Sequence, residues 1–287
     1  MLIVQHPGQP DPRRWLAMPV AQRVVHVLRL TPGKDLLSEI KSCVAQYQGS
    51  GAWFRLVKGD IGSLDLMTGK PGDAPIVAAF SGPHSIACPA TIEAGTGNLG
   101  VSIDGTLISH CHAAFRDSLN QLVGGHLIEG TCIAGLGGIE VEVVVLSGAR
   151  FVQKIDVETG FPLFYPSEAS GSTDSSVMVK LQPNQDLKIA LENACKSAGI
   201  PRARIRSAVG SLSEASFAST TGEPIRVTGP GLEVAGLCGE INLDATTAAP
   251  LLTGYVCQAN GDAVVGSFLR GQNPICVTFE LVLDRLT

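Results

Sequence analysis

Two stretches decide the fold: VLRLTPGKDLLSEI at 27–40 and MVKLQPNQDLKIAL at 178–191, which repeat one order of apolar, Pro, Asp and Leu positions at a shift of 151. IGSL (61–64) recurs as VGSL (209–212), and VGGHLIEG (123–130) recurs as VVGSFLRG (264–271). Three matches in the same order, with small drifts in offset, are the trace of a duplicated domain with loop insertions. The small, polar run PSEASGSTDSS (166–176) has the composition of a linker. The expected organisation is a first domain over 1–166 with its core from about residue 24, a linker over 167–176 and a second domain over 177–287.

Each copy reads alike from there. A short strand (Val24–Leu30; Val177–Leu181) enters a Pro-containing turn, and Asp35 and Asp186 sit where helix N-caps belong. Leu36, Ile40, Val44 and Tyr47 then share one helical face, as do Leu187, Leu191 and Ala194. The remainder consists of short apolar runs broken by Gly and Pro. GIEVEVVVL (138–146) and CVTFELVL (276–283) are the clearest strands. One early helix followed by many strands predicts an α+β fold: two tandem, mostly antiparallel sheet domains, each with an early packed helix.

Composition sets the limits. Hydrophobic residues make up 45% of the 287 and charged residues 16%, with mean hydropathy +0.24, enough apolar matter for sizeable cores. No uninterrupted apolar run reaches the roughly 18 to 20 residues of a membrane span, so no membrane partner is expected. The opening MLIVQHPGQPDPRRW lacks the basic-then-apolar order of a signal peptide. The eight cysteines are scattered without a C-x-x-C pair and read as reduced thiols, mostly buried, in a cytoplasmic protein. A net charge of −5 denies the chain the positive field that dominates affinity for phosphate backbones.

Three of the six histidines fall within SHCHAAFRDSLNQLVGGHLIEG: His110, His112 and His126. On a strand, i and i+2 share a face, so H-x-H sets two imidazoles side by side. A hairpin centred on Leu119 places His126 opposite His112. A two-residue turn at Leu119–Asn120 opposes it to Ala113 instead, unless a bulge at Gly124–Gly125 restores parity. Three neutral imidazoles on one metal leave a fourth position open, the arrangement of catalytic-type zinc sites. The competing reading is three separate histidines filling a strand surface. Cys111 points to the opposite face and is expected in the core. Glu129 faces away from His126, and Asp117 shapes the turn.

With GTLISHCHAAF, VGGHLIEG, LTPGKDLLSEI and GDIGSL in this order, the chain resembles the PPC (plants-and-prokaryotes-conserved) domain family over roughly Val24–Tyr165 and, less closely, Val177–Leu286. The resemblance implies a compact α+β domain that assembles into trimers. It also implies a metal site, for zinc, on His110, His112 and His126. In plants the domain accompanies AT-hook DNA-binding proteins, but no Arg-Gly-Arg-Pro hook occurs here. In the second copy Ser267 stands in place of His126, and Leu251 and Thr253 stand near His110 and His112, after an insertion around LDATTAAP. No histidine follows residue 126, so that copy is expected to be structural, or to complete interfaces that a single-domain relative makes by self-association.

Other candidates are weaker. Arg202, Arg204 and Arg206 share one strand face, aligned with Phe54, Leu56 and Lys58 of the first copy; they could hold an anion or a nucleic-acid backbone, or form a salt-bridged surface. GLGG (135–138) and EAGTGNLG (93–100) read as turns, since no helix opening with Lys-Ser/Thr follows. No nucleophile elbow occurs and no reaction is named. The expectation is a zinc-binding homo-oligomer that takes a small oxygen ligand such as water or a carboxylate; the alternatives are a DNA-binding regulator or an assembly module.

Overall fold

The computed structural model describes residues 2–168, 175–244 and 252–286. The first repeat runs β1 (Trp15–Leu30), α1 (Leu36–Gln46), β2 (Ala52–Ser63), β3 (Asp65–Pro71), β4 (Ala78–Ser85), β5 (Ala90–Val101), β6 (Leu107–Arg116), β7 (Leu122–Leu127) and β8 (Ile133–Ser147). A hairpin of β9 (Ala149–Ile155) and β10 (Pro162–Glu168) follows. The second repeat runs β11 (Ser176–Leu181), α2 (Leu187–Ser197), β12 (Arg202–Phe217), β13 (Ile225–Cys238), β14 (Glu240–Asn242), β15 (Thr253–Cys257), β16 (Ala263–Ser267) and β17 (Ile275–Arg285). Most of the predicted linker lies outside the described residues, as do Leu251 and most of the LDATTAAP insertion.

Both repeats lay their strands out in one antiparallel order. In the first it is β1-β8-β2-β5-β6-β7, extended by β3 and β4. In the second it is β11-β17-β12-β13-β15-β16. Each helix packs one face of its sheet and is capped as its sequence indicates. Asp35 accepts from the Ser38 amide at 2.9 Å and Asp186 from the Ile189 amide at 3.0 Å. Leu36, Ile40 and Val44 meet Phe54, Val141 and Val143 in the first core; Leu187, Leu191 and Ala194 meet Ile205, Phe279 and Leu281 in the second.

β1 is longer than the predicted strand and serves both sheets. Its first half, Trp15–Val20, pairs with β11, and from Ala21 onward it pairs with β8. One strand thus covers the outer edge of each sheet, which an unpaired edge would otherwise offer to other chains.

The ladders also correct the sequence alignment. Leu30 lies opposite Ile139 as Leu181 lies opposite Phe279, and Gly59 lies opposite Ile139 as Gly210 lies opposite Phe279. Gly210 is therefore the counterpart of Gly59, and the shared Gly-Ser-Leu is displaced by three residues. Arg204, opposite Asp284, corresponds to Trp53 rather than Leu56. A bulge between Ile205 and Ser207 sets Arg206 outside the regular pairing.

The repeats meet through the sheet faces that the helices leave bare. Asn98 donates to the Glu280 carbonyl at 2.9 Å and accepts from Ser207 at 2.6 Å, and Thr96 donates to the Ala208 carbonyl at 2.9 Å. Gly69 faces Gly231 so closely that a Cβ on Gly69 would lie 1.9 Å from the Gly231 oxygen; only glycine permits this backbone approach of β3 to β13. The β9–β10 hairpin is pinned by a buried cluster. Lys180 Nζ lies 3.0 Å from Asp156 and 2.7 Å from the Gln182 oxygen, and Tyr165 donates to Asp156 at 2.6 Å. Around it Trp53, Phe151, Phe164, Met178 and Val282 form an apolar seam between the repeats.

Candidate metal centre

His110 and His112 project from β6 onto the bare face, opposite the buried core residues Cys111 and Ala113. The β6–β7 ladder is regular: His112 lies opposite His126, Ala113 opposite Gly125, and Arg116 opposite Leu122. That is the hairpin centred on Leu119, with no bulge. Asp117 holds the turn, accepting from the amides of Leu119 at 2.9 Å and Gln121 at 2.7 Å, while Asn120 takes φ +61°. Register alone brings the third imidazole to the first two. One nitrogen of each ring lies within 4.8 Å of the others, and the ring centroids are 4.9, 5.2 and 5.5 Å apart.

The groups that orient these rings come from the second repeat. Nδ1 of His110 lies 2.7 Å from Oε2 of Glu280 on β17. Nδ1 of His112 lies 3.2 Å from the Val234 carbonyl on β13. A carbonyl can only accept, so Nδ1 of His112 carries the proton and Nε2 presents its lone pair. That Nε2 and Nδ1 of His126 are buried without a hydrogen-bond partner among the described residues. Glu233, also on β13 and 4% exposed, sets Oε1 3.7 Å from Nε2 of His112, while its Oε2 has no partner.

The electrostatics follow from burial. Desolvation, followed by the neighbouring imidazoles His110 and His126, holds His112 well below the ordinary histidine range. Desolvation and then His110 push His126 down to about 3. Both rings are neutral at physiological pH, the form that binds metals. Burial pushes the Glu233 carboxyl well above the usual carboxylate range. A cavity of about 400 Å³ opens beside the cluster, walled by Phe80, Leu163 and Phe164 and reaching Glu233 and Glu280.

The remaining candidates lie elsewhere. Cys111 is in the first core, and burial raises its thiol well above the ordinary range. Glu129 pairs with Lys41 at 2.5 Å. Arg204 pairs with Glu240 at 2.7 Å and Arg206 with Asp284 at 2.5 Å, while Arg202 is exposed at the strand start. In the second copy Thr253 lies opposite Ser267 as His112 lies opposite His126, two short hydroxyls where two imidazoles would be needed.

Sequence reasoning missed Glu233 and Glu280. Glu280 is the counterpart of Glu140, which forms an exposed pair with Arg29 in the first repeat. One signal was available: Arg55 and Glu142 pair in the first copy, whereas their counterparts Ser207 and Val282 are uncharged. The loss of one charged pair from a face that carries it in the other copy marks where the second copy is buried.

Among curated proteins no relative matches the chain. Solved structures are similar to part of the chain. A metal-containing protein from Archaeoglobus fulgidus is 23% identical, covering 51% of this chain and 96% of its own, with a TM-score of 0.41. A PPC protein from Pyrococcus horikoshii is 18% identical, covering 52% and 96%, with a TM-score of 0.40. A protein from Ralstonia eutropha JMP134, provisionally called DNA-binding, is 18% identical, covering 52% and 94%, with a TM-score of 0.40. The family model for the Plants and Prokaryotes Conserved (PCC) domain, the PPC domain of the sequence resemblance, matches residues 20–148 and again 168–287, and the chain belongs to that family as a tandem of two copies.

Proposed function

We propose that the chain is a metal-binding protein whose first repeat holds one zinc ion on His110, His112 and His126. The observation that carries this reading is the pair of orphaned imidazole nitrogens, Nε2 of His112 and Nδ1 of His126, buried in a cluster of three rings of which one nitrogen each lies within 4.8 Å of the others. A buried polar atom with no partner costs about 1–3 kcal/mol, and three neutral imidazoles so grouped fit a borderline-soft dication. Glu280 and the Val234 carbonyl suit the role of outer partners, fixing which ring nitrogens face the ion. A bound zinc would supply Lewis acidity to whatever oxygen donor completes its coordination.

The site lies between the repeats, so the second repeat supplies walls and outer partners, and among its described residues no second group of metal-ligating side chains occurs. Eight cysteines with no bonded pair fit a reducing compartment such as the cytoplasm. Among the described residues no helix is long and apolar enough to cross a membrane. DNA binding gains little support, because Arg204 and Arg206 are each engaged by a carboxylate and the chain is acidic.

Zinc titration by calorimetry tests the reading. The parent chain should bind one zinc per chain, and His112→Ala should weaken binding at least a hundredfold. Full retention by His112→Ala would place the metal elsewhere.

A further inference from the structure

The second repeat does more than wall the cavity. Glu233 stands on β13, across the repeat interface from β6 and β7, with its side chain buried against the histidine cluster. Its Oε1 lies 3.7 Å from Nε2 of His112. Two donors on one tetrahedral zinc, each about 2.1 Å from the ion, stand about 3.4 Å apart. The observed separation is therefore close to that of neighbouring ligands, with both atoms already facing the same space. Oε2 of Glu233 has no hydrogen-bond partner among the described residues, so one carboxyl oxygen is left for a cation.

Charge points the same way. Three neutral imidazoles leave a dication uncompensated, and Glu233 and Glu280 line the same cavity, where a bound dication would hold both as carboxylates. Glu280 is committed to His110 through one oxygen and to the Phe164 amide, at 2.8 Å, through the other. Glu233 has an oxygen to spare.

Resting on the zinc reading above, we infer that Glu233 is the fourth ligand, so that the metal is a staple joining the two repeats. The carboxylate takes the coordination position that sequence alone would leave to a small oxygen ligand. The site is then closed in the manner of structural zinc centres, which are four-coordinate with protein ligands throughout. Binding energy at such a site stabilises the docked arrangement of the repeats. The second repeat, which has no histidines, thereby has a direct role in the centre.

The test compares the full-length parent with Glu233→Gln, by zinc titration and by the visible spectrum of the Co²⁺-loaded protein with and without azide. Gln keeps the shape of the Glu233 side chain, so the metal-free variant should be about as heat-stable as the parent, and a folding failure would be seen separately. The expected results are zinc binding at least tenfold weaker in Glu233→Gln, and a Co²⁺ spectrum that azide perturbs in the variant but not in the parent. Affinity within threefold of the parent, or azide shifting the parent spectrum as strongly as the variant's, would overturn the inference while leaving the three-histidine site intact. A parent that binds no zinc, or a His112→Ala chain that binds it fully, would instead sink the zinc reading itself.

Discussion

His112 owes its role to three local facts: alternation on β6, register against β7, and a carbonyl on β13 that takes its Nδ1 proton. Its depressed basicity, and that of His126, has a consequence for the metal-free protein. A histidine neutral when folded but protonatable when unfolded contributes stability that is intact above its ordinary value of about 6.5 and declines as pH falls below it. Glu233 acts in the opposite sense, since its raised carboxyl favours the folded state as pH falls towards the ordinary value near 4.5. Two protons against one leaves a net uptake of one on unfolding. The stability of the metal-free chain should therefore drop by roughly 1 kcal/mol per pH unit between about 6.5 and 5. Urea melts across that range check this, and a flat profile would mean that the two rings are not buried neutral. In the folded chain both rings stay neutral well below the ordinary histidine value, so proton competition for zinc should set in only below that range. Ser267→Ala should leave metal content unchanged, because its neighbour across the strand pair is Thr253 and not an imidazole.

At the scale of elements, the β9–β10 hairpin is the piece most dependent on a single cluster. Asp156 is 1% exposed and holds Lys180, which is fully buried; burial would raise the Asp156 carboxyl, but Lys180 and the Tyr165 hydroxyl outweigh it and bring it to about 2. Asp156→Ala leaves the Lys180 ammonium without its counter-charge and should cost about 3–5 kcal/mol in chemical denaturation. A loss under 1 kcal/mol would show that the cluster does not bind the hairpin. This element also marks where the sequence could be read and where it could not. The caps Asp35 and Asp186, the two helices and the strands containing 138–146 and 276–283 were legible, because each rests on residues adjacent in the chain. The hairpin parity was legible to within one choice of turn, which Asp117 and Asn120 settle in favour of the five-residue loop. β1 was only half legible: pairing with two sheets leaves no periodic trace, and Pro19 sits where a strand would ordinarily be doubted. Glu233 and Glu280 were illegible as site residues, since an acidic residue on a strand reads the same whether it faces water or another repeat.

At the scale of the molecule, the proposed reading divides one metal centre between two copies. The first carries the imidazoles, and the second sets Glu233 and Glu280 on the buried face against them. The corresponding half of the first repeat's sheet remains open, with Val25, Val27 and Val57 exposed beside the Arg29–Glu140 and Arg55–Glu142 pairs. Exposed apolar side chains on a sheet face favour self-association. The family resemblance implies threefold association, for which light scattering should give the mass of three chains; a monodisperse species of 29.9 kDa would contradict it.

The central claim is that two repeats build one metal centre. Its most direct test is the zinc content of the full-length protein after saturation and removal of free metal, measured by elemental analysis against protein concentration from amino-acid analysis. The account predicts one equivalent per chain. Two equivalents would show that the second repeat binds metal through residues other than those at Thr253 and Ser267, and none would contradict the metal centre altogether.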